Sequence, residues 1–123
     1  MNAPVELLIC ATCKRPDGDP DAPRPGAVLA ERVAAEGLPE GVSLRVVECL
    51  SNCSRGCTVA LRGGPRWTYV YGNFAPEADV PTLLDGVARY AASADGLVPW
   101  RERPEHFKRN CIARIPPLEA ADA

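Results

Sequence analysis

The sequence predicts an α/β fold in the order β-α-β-β-β-α, with a mixed four-stranded sheet. Three observations predict it. Short apolar or alternating runs bounded by turn residues mark four strands. Two segments keep apolar residues at helical spacing, and a Gly-Gly-Pro turn folds the third strand back into the fourth.

The first strand is Val5-Glu6-Leu7-Leu8-Ile9, a mostly apolar run suited to a central strand buried on both faces. From Lys14 the chain carries Pro16, Pro20, Pro23 and Pro25 interleaved with Asp17, Gly18, Asp19 and Asp21, which makes an irregular loop. A helix follows from Gly26 to Glu36, with Val28, Leu29 and Val33 as its apolar stripe and Gly37 just past its end. Val42-Ser43-Leu44-Arg45-Val46 alternates and runs on to Cys49 as the second strand. Cys57–Arg62 and Arg66–Tyr71 form the hairpin around Gly63-Gly64-Pro65. Trp67, Tyr69 and Tyr71 alternate along its second strand, as on a packed sheet face, with a dimer surface as the alternative. Asp79 is placed to cap a last helix, Val80 to Ala94, with Pro81 in the first turn and Leu83, Leu84, Val87, Ala88 and Ala91 along one side.

Residues 96–123 lack periodicity and read as an irregular extension of a main unit over residues 1–95. Within the extension, Arg101, Arg103, Lys108, Arg109 and Arg114 outnumber Glu102 and Glu105, so it is locally basic. At 123 residues the chain reads as one domain that buries a core without staples, so its cysteines are expected to serve chemistry. A net charge of −2 and a pI near 5.4 argue against a general nucleic-acid binder. The start, Met1 to Glu6, has no basic leader region, and no run approaches the ~20 apolar residues of a membrane span. The expectation is a cytoplasmic protein, in a reducing compartment where disulfides are rare.

Five of the six cysteines fall into two groups, Cys10-Ala-Thr-Cys13 and Cys49-Leu-Ser-Asn-Cys53-Ser-Arg-Gly-Cys57. Element order brings them together. A β-α-β crossover makes the first two strands parallel, so Cys10 and Cys49 leave the sheet at one edge. The loop Leu50 to Gly56 stays there, and Cys57 opens the strand that starts there. Open α/β sheets place ligands at such a rim. The sixth cysteine, Cys111, reads as a small apolar filler. His106 is the only histidine and reads as a surface residue, which leaves little for histidine-based metal or nucleophile chemistry.

Spacing alone leaves iron–sulfur, zinc and dithiol redox chemistry open. A reactive dithiol gains acidity from a helix N-terminus, and here a long proline-rich loop separates Cys13 from the helix. There is also no proline between Cys49 and Cys57. Four thiolates would satisfy zinc, but Cys-x3-Cys-x3-Cys is less typical of zinc knuckles.

The element order, the cysteine pair after the first strand and Cys-x3-Cys after the second resemble the thioredoxin-like 2Fe–2S ferredoxins. More narrowly, the chain resembles a family of bacterial predicted metal-binding proteins that often occur beside cobalamin-biosynthesis functions. Arg103-Pro104 and Arg114-Ile115-Pro116-Pro117 also look like that narrower family. The resemblance implies a thioredoxin-like fold and a 2Fe–2S cluster on Cys10, Cys13, Cys49 and Cys53, with Cys57 as the alternative fourth ligand. It implies an electron carrier rather than an enzyme, a redox partner protein, a possible homodimer, and a step in or near cobalamin biosynthesis. Thr12, Ser51, Asn52 and Ser54 are then candidate hydrogen-bond donors to sulfur. Lys14, Arg15 and Arg55 are candidate cations beside the cluster. The basic extension or the acidic first loop would steer docking.

Overall fold

The computed structural model describes residues 4–10, 25–47, 57–75 and 78–117. In it β1 (Val5–Cys10), α1 (Pro25–Glu36), β2 (Val42–Val47), β3 (Val59–Arg62), β4 (Thr68–Tyr71) and α2 (Val80–Ala92) follow in the expected order. The extension then departs from expectation. It forms a 3₁₀ turn at Trp100–Glu102, a short α3 (Glu105–Arg109) and a strand, β5 (Cys111–Ile115). The sheet therefore has five strands rather than four, in the order β2-β1-β3-β4-β5. β5 escapes sequence reading because it is short and largely exposed. What makes it a strand is antiparallel pairing with β4, which runs from Thr68 opposite Ile115 to Tyr71 opposite Cys111 with an irregularity between Val70 and Tyr71.

The remaining pairings follow the crossover argument. β1 and β2 are parallel, with Val5 opposite Val42 and Cys10 opposite Val47. β3 runs antiparallel beside β1, and β4 antiparallel beside β3. In the hairpin turn the Arg66 N–H reaches Gly63 O at 3.1 Å, and Gly64 takes the left-handed φ of +55°. α1 ends as read: Gly37, at φ +91°, donates its N–H to Val33 O at 3.1 Å.

α2 differs at both ends. Asp79 occupies the capping position without capping through its side chain. Its Oδ2 instead accepts the Ala75 N–H at 2.7 Å, while its carbonyl accepts the Leu83 N–H at 2.8 Å. The helix stops at Ala92 because Ser93 turns extended. There Arg66, only 2% exposed, donates Nε to Ser93 O at 2.9 Å, Nη2 to Ala91 O at 3.1 Å and Nη1 to Gly63 O at 3.3 Å. Its guanidinium meets the negative end of the helix dipole and ties the hairpin turn to α2.

Both helices cover one face of the sheet. Leu29 and Val33 of α1 and Leu83, Val87 and Tyr90 of α2 join Val5, Leu7, Ile9, Val59, Leu61, Tyr69 and Tyr71 in a single core. The alternating aromatics are thus core residues, with Trp67 half-buried at the margin. Tyr90 stands edge-on to Tyr69, and Phe107 of α3 lies 4.4 Å from the Tyr71 ring. The extension is pinned at Gly86, where a Cβ would collide with the Phe107 ring. Residues of the other parity in β1 and β3, namely Glu6, Leu8, Cys10, Thr58, Ala60 and Arg62, face away from the helices. An ion pair confirms that parity: Glu6 accepts Arg62 Nε at 2.8 Å and lies 3.7 Å from Arg45 Nη1 across β1.

Among the described residues, no helix is long and apolar enough to cross a membrane.

Candidate metal centre at the cysteine rim

Cys10 is the last residue of β1, fully buried, and donates its backbone N–H to Thr58 O at 3.1 Å. Its register partner on the other side is Val47, the last described residue of β2, and the expected end of that strand at Cys49 lies outside the described residues. The chain toward Cys49 therefore starts directly beside Cys10. Cys13, Cys49 and Cys53 lie outside the described residues, as do Thr12, Lys14, Arg15, Ser51, Asn52, Ser54 and Arg55. Among the described residues no three His, Cys, Asp or Glu side chains gather into a metal-binding group.

Cys57 is also fully buried, but its side chain belongs to the helix-covered core. It exchanges two backbone hydrogen bonds with Phe74, 3.3 Å and 3.2 Å long. Asn73, with φ +61°, takes up the bulge that shifts this pairing past Tyr71. Alternation from Val59 inward puts Cys57 and Phe74 on the helix side and Thr58 on the other. Cys10 opposes Thr58 and so also faces away from the helices. Cys10 and Cys57 thus share the rim but not the face.

Cys111 contradicts its expected role as a filler, since it is exposed on the edge strand. It lies level with Ile9 through the row Ile9, Val59, Tyr71, Cys111. Three strand spacings of ~4.8 Å put it roughly 14 Å from β1, too far to share a metal with Cys10. Partial burial pushes its thiol above the usual cysteine value, against the pull of Arg103 and Arg114.

His106 is not the free surface residue expected. Its ring stacks on Phe74 at 4.1 Å, its Nε2 donates to Gly72 O at 2.9 Å, and its Nδ1 lies 3.9 Å from Asp79 Oδ2. The cause is α3, whose single turn brings His106 and Phe107 onto the segment that pairs with Cys57. An open hollow of about 300 Å³ among Arg89, Ser93, Val98 and Glu102 adjoins the α2 C-terminus and the hairpin turn, at the opposite end of the sheet.

Thr58 was absent from the sequence-derived set. It is 0% exposed, and Arg66 is the only other buried polar or charged residue among those described. The signal for it in sequence is its position directly after Cys57, at the start of the strand that pairs with β1.

The family model described as "Protein of unknown function (DUF1636)" matches residues 7–117, nearly the whole chain. The chain belongs to this family. No curated protein sequence matches it. Among solved structures it is similar to a thioredoxin-like 2Fe–2S ferredoxin from Aquifex aeolicus, at 17% identity and a TM-score of 0.56, with 96% of this chain and 98% of that one covered. A crystal structure of the wild-type thioredoxin-like 2Fe–2S ferredoxin from the same organism gives 17% identity and a TM-score of 0.55 over 90% and 98% of the two chains. At that identity the likeness shows the fold alone: this DUF1636 chain is folded like those two structures. β5 and α3 lie inside the stretch that the family model matches.

Proposed function

We propose that the chain is an electron carrier holding a 2Fe–2S cluster on Cys10, Cys13, Cys49 and Cys53. The observation that carries the reading is the register of β1 and β2. Cys10, three residues before Cys13, stands opposite Val47, two residues before Cys49. The donor set suits the group, because closely spaced thiolates favour iron–sulfur or zinc over hard cations. The likeness of fold to a protein named as a 2Fe–2S ferredoxin supports iron–sulfur over zinc.

Cys57 is set aside as a ligand on the same geometry. Its side chain lies among Phe74, Val59 and the helices, whereas Cys10 faces away from them. Reaching a group shared with Cys10 would require Cys57 to leave the core, so Cys13 takes the fourth place. When bound, the cluster would accept and release one electron. The chain's own part is to hold four thiolates at a sheet edge, where a redox partner protein can approach. A step in or near cobalamin biosynthesis is the role suggested by the sequence resemblance.

Anaerobic purification tests the reading. The expected protein is coloured, with visible bands bleached by dithionite and iron and acid-labile sulfide in equal amounts. Serine at Cys10, Cys13, Cys49 or Cys53 should cost the iron, while Cys57→Ala should keep it. A colourless protein holding zinc would contradict the proposal, and activity that survives metal removal would favour a dithiol.

A further inference from the structure

We propose that the chain binds one ordered water molecule between the sheet and the extension, anchored by the hydroxyl of Tyr69. Among the described residues that hydroxyl is buried without a hydrogen-bond partner, on a residue only 2% exposed. Native proteins leave few such groups unsatisfied, because desolvating a hydroxyl without a partner is costly. A turn of the side chain does not relieve it, since neighbours hold the ring in place. Tyr71 stacks on it at 5.8 Å, Tyr90 stands edge-on at 6.4 Å, and the Arg103 guanidinium lies over it at 5.7 Å.

Tyr69 lines a hollow together with Tyr71, Arg89, Tyr90, Arg103 and Phe107. Its volume, about 10 Å³ as reached by the centre of a water molecule, is that of a single water. Size decides the occupant. The guanidinium groups of Arg89 and Arg103 would also attract an anion, but acetate and phosphate are larger than this space. A buried water needs about two to four polar partners. Tyr90 is already committed, because its hydroxyl bonds to Leu61 O and Trp67 O. Arg89 and Arg103 spend Nε on Asp85 and on Val98 O, which leaves their Nη groups as donors. The Tyr69 hydroxyl can both donate and accept. A water that accepts from a guanidinium and bonds to Tyr69 Oη therefore satisfies the hydroxyl. It also joins Arg103 of the extension to β4, a polar bridge beside the apolar contact of Phe107. The inference does not depend on what the cysteines bind.

The test uses high-resolution crystal structures of the full chain and of Tyr69→Phe, from crystals grown in bromide. Density for one water should lie about 2.8 Å from Tyr69 Oη, carry no anomalous signal and vanish in Tyr69→Phe. An empty hollow in the parent overturns the inference. So does an anomalous bromide peak, which would mark an anion site instead. Urea unfolding gives a second reading in solution. A hydroxyl bonded to water supports the fold, so Tyr69→Phe should unfold at a lower urea midpoint. A hydroxyl without a partner is a burden that phenylalanine removes. A midpoint equal to or above the parent's therefore overturns the inference.

Discussion

Cys10 and Cys57 stand at the same end of the sheet and project from opposite faces of it. Cys10 opposes Thr58, whereas Cys57 opposes Phe74 within the helix-covered core. One residue of alternation thus separates a thiol suited to ligation from one suited to packing. Cys57→Ala should retain iron and sulfide and lose about 1 kcal/mol of stability, as for a small cavity. Cys13→Ser should lose iron with little change in the fold. Iron analysis alongside urea unfolding of both variants checks this.

Arg66 is the buried charge that closes α2. Among the described residues its carbonyl partners are Ser93, Ala91 and Gly63, from the helix end and the hairpin turn. Arg66→Met keeps the apolar stem and strands those acceptors, at a cost on the order of 3 kcal/mol. Arg66→Lys should fall between, because an ammonium cannot reproduce the planar fork. Thermal unfolding read by circular dichroism measures both.

Phe107 makes the extension part of the core. It touches Tyr71 and Phe74 and fills the space over Gly86. Phe107→Ala should cost about 3–5 kcal/mol. Gly86→Ala, whose Cβ meets that ring, should cost about 1–3 kcal/mol through overpacking. Removing residues 105–117 should destabilise residues 4–94 as well, seen as a lower unfolding midpoint. An extension that merely hung from the domain would leave that midpoint unchanged.

Acid should weaken the sheet at Glu6. The hydrogen bond from Arg62 holds its carboxyl below the usual glutamate value, with Arg45 adding to the effect. A group whose folded value is depressed contributes stability above its unfolded value, and that contribution is lost as the pH falls through the folded value. The window therefore lies below about pH 4.5, the ordinary glutamate value. Glu6 is exposed enough for the effect to stay within about 1 kcal/mol. Glu6→Gln should remove this part of the acid sensitivity in urea midpoints taken from pH 6 downward.

Much of the fold was legible because periodicity and punctuation agreed. Val5–Ile9, the stripe at Leu29 and Val33, the Gly63-Gly64 turn and the Leu83–Val87 spacing each lie where local pattern puts them. β5 and α3 were not legible. A five-residue helix has no full period to read, and Cys111–Ile115 becomes a strand only by pairing with Tyr71 and its neighbours. No local pattern marks Arg66 as buried, because its carbonyl partners are brought near by tertiary structure. At the site, β1 and β2 are parallel as the crossover argument requires and Cys10 stands opposite Val47, while Cys49 lies outside the described residues. The opposite faces of Cys10 and Cys57 needed the register, since one bulged residue at Asn73 decides which side Phe74 and Cys57 share.

The central claim is a mixed-valence iron pair held at this rim, and electron paramagnetic resonance of the dithionite-reduced protein tests it most directly. The anaerobically purified chain should be silent when oxidised and show the rhombic low-temperature signal of a reduced 2Fe–2S pair, retained in Cys57→Ala and absent in Cys10→Ser. A protein that contains zinc in place of iron and stays silent after reduction would contradict the account.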